Sequence, residues 1–225
     1  MRELTKILNL WIILTFVMLL LTSTLAFPAK GEIRLTVLLL NIVSAMSFYF
    51  IIKQSIENKN YSWYNSKRLS IILLWYSLAF VTLYNLFYYY ETQSFFEFSA
   101  RDTLQYDELA RWMIRDGNLI GSIWDYITVG YRIDDLGAVV ITSFAYLFYP
   151  SPLMFNVLNL IAGLITATSI FRISLFYMDR KYAYLTALSY GLSSFVIYLY
   201  STGMKETFFV MIIVLSFERL RVFIE

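Results

Sequence analysis

Residues 69–90, LSIILLWYSLAFVTLYNLFYYY, run for 22 positions without a charged side chain. At about 1.5 Å per residue, a helix of that length reaches across the ~30 Å hydrocarbon core of a bilayer. Peptide groups in lipid must find their partners within the segment, so a helix is the form open to such a run. Working outward, further apolar runs occupy residues 7–27 and 35–52 on one side and 153–171, 183–200 and 207–217 on the other, with a shorter run at 137–149. The 225-residue chain is 59% hydrophobic and 19% aromatic, with a mean hydropathy of +0.62, more than a soluble core needs. These features predict an all-α fold. It is a polytopic membrane helix bundle with about six to seven apolar segments, residues 1–225 forming a single transmembrane domain.

The loops orient the bundle. Residues 53–68 carry Lys53, Lys59, Lys67 and Arg68 against Glu57, and a short loop with such a basic excess marks the cytoplasmic side. The N-terminus then lies inside, and the run at 7–27 reads as an uncleaved anchor. Its competitor, a signal peptide, would have a shorter apolar region and a better cleavage site than Ala26-Phe27-Pro28-Ala29. Residues 91–136 fall outside the cell membrane. They hold nine acidic and four basic residues, a net charge of minus five, together with Trp112, Trp124, Tyr126 and Tyr131, which suit the headgroup region. One or two amphipathic interfacial helices are expected there.

Asp179-Arg180-Lys181 and the pair Arg219 and Arg221 are again basic and expected inside. That requires the 13 residues of 137–149 to make a partial or re-entrant segment, with 153–171 as the true crossing. A full crossing at 137–149 would instead place Glu206 inside. On the run at 153–171, Asn159, Ala162, Gly163 and Ala167 form a small-residue stripe suited to close helix packing.

Composition narrows the chemistry. With no Cys and no His, thiol nucleophiles, imidazole bases and the usual zinc ligands are absent, so catalysis would rest on carboxylates, Lys, Arg, Tyr, Ser or Thr. A net charge of +2 gives nucleic-acid binding no electrostatic support.

Two polar clusters interrupt the apolar runs. The first, residues 99–117 (SARDTLQYDELARWMIRDG), reads as a helix with Ser99 as N-cap, Asp102 in its first turn and a left-handed stop at Asp116-Gly117-Asn118. Asp102 shares a face with Tyr106, Ala110 and Met113. It either completes a cap with Ser99 or presents a carboxylate to a membrane-embedded cleft. The second cluster is Tyr200-Ser201-Thr202-Gly203-Met204-Lys205-Glu206. It is either a solvated loop with Glu206 at a helix N-terminus or a functional group of charges against membrane helices.

Asp102-Thr-Leu-Gln-Tyr106-Asp107-Glu-Leu-Ala110 resembles the D-x3-Y-x3-A motif in the first external loop of GT-C-type integral membrane glycosyltransferases, a superfamily that includes protein mannosyltransferases. The order that follows is similar too: Tyr146-Leu-Phe-Tyr-Pro150, Asn159-x3-Gly163, Ala183 and Ala187, then Tyr200-Ser201 and Lys205-Glu206. The likeness covers about residues 98–220. The His-Pro-Pro-Leu element of some members is absent, and three runs precede the loop where many members have one.

The resemblance implies the N-terminal portion of an enzyme that moves a sugar from a polyprenyl-phosphate donor to an acceptor hydroxyl at the external face. Asp102 would be the general base and Glu206 would orient the acceptor or help hold a divalent metal with Asp102. Lys205 or Arg132 would lie near the phosphate, with Tyr106, Asp107 and Ser201 around the substrate. The implied partners are a lipid-linked sugar donor and membrane lipids. The alternatives are a surface-polysaccharide polymerase or ligase, and a transporter or non-catalytic membrane subunit. Charges falling at run ends disfavour transport.

Overall fold

A computed structural model describes residues 31–58, 60–94, 101–115, 117–128, 135–203 and 205–224. The run at 7–27, the Ser99 cap and Arg132 lie outside the described residues. Nine α-helices occur among them, in the order α1 (Gly31–Glu57), α2 (Ser66–Thr92), α3 (Arg101–Arg115), α4 (Leu119–Thr128), α5 (Leu136–Tyr146), α6 (Pro152–Tyr177), α7 (Arg180–Gly191), α8 (Ser194–Thr202) and α9 (Glu206–Ile224). A 3-10 turn, Tyr61–Trp63, leads into α2.

Local chemistry sets the helix ends. Asn65 caps α2 by accepting a hydrogen bond from the Arg68 amide at 2.8 Å, satisfying a donor that has no partner inside the helix. At the other end Gln93 turns left-handed, with φ 56°, and its amide returns to the Tyr89 carbonyl. Ser151 and Pro152 open α6, Pro152 taking the first turn where a missing N–H costs nothing. Gly117 supplies the left-handed residue after α3, at φ +70°, as the sequence predicts.

Two helices are long and apolar enough to cross a membrane, α2 and α6, or three spans if α7 and α8, bent by 47°, count as one. Six to seven apolar segments are therefore not supported among the described residues, and the expectation is corrected for two physical reasons. The run at 137–149 yields α5, with 11 residues and a length of about 16 Å, half a hydrocarbon core. The run at 183–200 breaks at Leu192-Ser193, where the Leu192 carbonyl lies 3.4 Å from the Tyr76 hydroxyl of α2.

The largest core joins α1, α2, α6, α7 and α8 through Tyr76, Tyr84, Phe171, Tyr184, Leu188 and Tyr200. The stripe on α6 is buried in it, Gly163 lying against the Tyr200 ring. A second cluster packs α3, α4 and α5 together through Tyr106, Met113, Tyr126 and Val139.

Contacts between loops show which helix ends sit together. Lys181, opening α7, donates to the Ile56 carbonyl near the end of α1 at 2.6 Å, so the two basic loops share one end of the bundle. At the opposite end Asn156, early in α6, donates to Asn85 of α2 at 3.0 Å. Helix α5 begins and ends at that second end. Asp135, just before it, meets Tyr106, and Tyr146, its last residue, meets Asp107. Its 11 residues make it a shorter apolar helix than a membrane span needs.

Candidate functional site

At the end of the bundle carrying Asn85 and Asn156, the two polar clusters of the sequence meet. Helix α3 turns Tyr106, Ala110 and Met113 into the protein, each at most 2% exposed. Asp102 is exposed, although the sequence places it on the face of Tyr106, Ala110 and Met113; it lies in the first turn of α3, where a carboxylate complements the helix dipole. The second cluster approaches through Gly203, which closes α8 at φ +69°. A Cβ there would lie 3.1 Å from the Phe155 ring and 3.3 Å from Asn156 Oδ1, so the left-handed conformation favours glycine and the space for a side chain is tight.

Two residues later the Lys205 ammonium pairs with Asp135, whose side chain is 9% exposed against 26% for Lys205. The Tyr106 hydroxyl donates to the same carboxylate at 3.1 Å, and Lys205 Nζ sits 5.9 Å from the Tyr106 ring centre. This hydrogen bond from Lys205 to Asp135 holds the ammonium proton more tightly than usual, raising its pKa. Burial pushes the Tyr106 phenol up to about 12, with Lys205 pulling it down and Asp135 pushing it up.

Asp107 forms the adjoining unit. It accepts from the Tyr146 hydroxyl of α5 and, at 2.9 Å, from Arg111 one turn along α3. Arg111 also lies 5.4 Å from the Tyr146 ring centre. Between these units is a cavity of about 20 Å³ walled by Thr103, Tyr106, Asp107, Tyr146, Asn156 and Gly203, roughly the space of one water molecule.

The predicted residues thus separate into groups. Tyr106, Asp107 and Lys205 belong to one connected polar region. Asp102 and Glu206 are exposed beside it, Glu206 in the first turn of α9. Ser201 is buried, its hydroxyl donating at 2.8 Å to the Tyr198 carbonyl, so it serves the end of α8. Among the described residues no group of three Asp or Glu side chains is placed to hold a metal ion. Charge compensation here is that of Lys205 and Arg111.

Sequence reasoning missed Asp135, Tyr146 and the Asn85–Asn156 pair. Signals for two of them existed. Asp135 is the last acid before an apolar helix, and Asn85 is an amide inside a charge-free run, where a buried polar group demands a partner. Neither signal says which partner. Compared with protein-family models, curated proteins and solved structures, the chain has no match in any of the three.

Proposed function

We propose that the protein is a membrane glycosyltransferase that moves a sugar from a polyprenyl-phosphate donor to an acceptor hydroxyl, at the bundle end carrying Asp102, Lys205 and Glu206. By the basic-loop rule that end faces outward. One observation carries the reading: helix α3 and the 200–206 break, a hundred residues apart, converge so that a fixed ammonium, Lys205, stands beside the helix bearing an exposed carboxylate, Asp102.

Asp102 takes the proton of the acceptor hydroxyl as its oxygen bonds to the anomeric carbon, a contribution of ~10² to 10⁴-fold. The bond from that carbon to the phosphate oxygen breaks, and its electron pair leaves with the polyprenyl phosphate. Lys205, aimed by Asp135 and Tyr106, offsets the added negative charge. Asp107 is already engaged by Tyr146 and Arg111 and braces α3 against α5. Glu206 orients the acceptor.

The test is transfer of a radiolabelled sugar from a synthetic polyprenyl-phosphate donor in membranes expressing the full reading frame. Asp102→Asn abolishes transfer while the protein level stays normal. Undiminished transfer by that variant removes Asp102 from the mechanism.

A further inference from the structure

At the opposite end of the bundle a cavity of about 760 Å³ opens between the C-terminus of α1, the 3-10 turn and the start of α7, a size typical of small-ligand sites. Its walls include Glu57, Tyr61, Tyr64, Asp179, Lys181 and Tyr182. The frame is tied down. The Tyr64 hydroxyl reaches the Ser55 and Asn58 carbonyls at 2.9 and 2.6 Å, and Lys181 donates to the Ile56 carbonyl. These bonds hold the end of α1 against both loops.

Three cations at this end lie over aromatic faces. Arg180 lies 5.9 Å from the Tyr61 ring centre, Lys181 5.8 Å from Tyr64 and Arg68 3.0 Å from Trp63, and among the described residues none of the three forms an ion pair. Glu57 and Asp179 on the wall are exposed. The cavity and its rim therefore present two carboxylates and two cations, Arg180 and Lys181, without mutual neutralisation. A ligand of one sign would be attracted by half of this set and repelled by the other half. A ligand holding a cation and an anion a few bonds apart satisfies both, and the exposed Tyr182 ring adds attraction for its ammonium.

The geometry points to a binding site for the headgroup of an aminophospholipid, its phosphate on Arg180 and Lys181 and its ammonium on Glu57 and Asp179. Position supports the lipid as the source. The cavity sits where α2 begins and α6 ends, at the level of the bilayer interface for these spans, and Tyr61 and Tyr182 are exposed there at 58% and 46%, as in interfacial aromatic belts. The inference rests on the membrane reading and not on glycosyl transfer, so loss of the transferase assignment leaves it standing.

The experiment uses the full-length protein, delipidated in detergent, with native mass spectrometry and thermal melting. The probes are dioleoyl phosphatidylethanolamine, its N-acetyl derivative and dioleoyl phosphatidylglycerol, with glycerophosphoethanolamine and inorganic phosphate as soluble arms. Phosphatidylethanolamine is retained about three- to tenfold better than phosphatidylglycerol, the span that two exposed ion pairs supply. Glu57→Gln with Asp179→Asn brings that ratio to about one, and Arg180→Gln weakens retention of both lipids. N-acetylation, which removes the ammonium, reports the same preference on the unaltered protein should the double variant fail to fold. Equal or better retention of phosphatidylglycerol, an unchanged ratio in the double variant, or full retention of the N-acetyl lipid overturns the proposal. A melting shift by either soluble probe equal to that of the lipid overturns the lipid as ligand.

Discussion

Replacing Gly163 with alanine tests the seam that joins α6 to α8. A Cβ at that position would stand 1.9 Å from the Tyr200 hydroxyl oxygen, 2.0 Å from Cζ and 2.6 Å from Cε1. Ordinary contacts between carbon atoms are about 3.5 to 4.0 Å, so the ring must retreat by roughly 1.5 Å or more. Tyr200 is 2% exposed in the main core, which leaves the ring nowhere to go without moving its neighbours. Overpacking of this kind costs about 1–3 kcal/mol, and the severity of the clash selects the upper half of that range. Alanine regains about 1 kcal/mol of helix propensity. The net loss is about 1–2 kcal/mol, a fall in melting temperature of about 2–8 °C for a chain of this size.

The assay is thermal unfolding of the purified protein in detergent, followed by far-UV circular dichroism. Two companion variants sharpen it. Gly163→Ala with Tyr200→Phe stays destabilised, since Cζ still blocks the methyl group, whereas Gly163→Ala adds little to Tyr200→Leu. Gly191→Ala, whose Cβ would meet the two methyl groups of Leu73 at 2.6 Å and its Cγ at 3.2 Å, costs less because the ends of a leucine side chain can rotate. A Gly163→Ala protein that melts at or above the wild-type temperature refutes the packing of α8 on α6 described above.

The polar end of the bundle yields two more expectations. Lys205→Met removes the charge partner of the nearly buried Asp135 and costs about 1–3 kcal/mol; combining it with Asp135→Asn recovers part of the loss, and strictly additive losses in a double-mutant cycle would argue against the pair. Alkaline titration reads the same region. Folding raises the pKa of Lys205 above its ordinary 10.5 and that of Tyr106 from 10.0 to about 12. The folded state therefore binds protons more tightly than the unfolded one, and stability falls as pH rises. Their contribution is complete below about pH 10; the Tyr106 part is lost as the pH rises through about 12 and the Lys205 part at higher pH still; Lys205→Met flattens the alkaline end of the profile, and an unchanged slope would contradict the assignment.

Much of the helical framework was legible in local sequence. The charge-free run at 69–90 lies within α2, and the Ser151-Pro152 start of α6 and the stop at Gly117 fall where cap chemistry puts them. The buried stripe Tyr106, Ala110 and Met113 of α3 was legible, because spacing within one helix follows the turn angle of the backbone, but Asp102, read onto the same face, is exposed. Among the described residues of 91–136 lie two helices, α3 and α4.

Partners across helices were not legible. Asp102, Asp107 and Asp135 are three carboxylates of equal standing in the sequence, yet one is exposed, one is taken by Tyr146 and Arg111, and one by Lys205 and Tyr106. The turn angle says which face a side chain occupies, while its charge partner depends on which helix packs there and at what height. The same limit applies to 137–149 and 183–200. Their composition is that of membrane segments, but the ends of α5 and the break at Leu192 meet Tyr106, Asp107 and Tyr76, residues far away in the chain. Sequence alone determined that the described residues are helical and where some helix ends fall, such as the stop at Gly117, since those are short-range properties. The tertiary structure decided which end each polar group reaches and what it meets there, because burial and charge pairing are settled between elements and not within them.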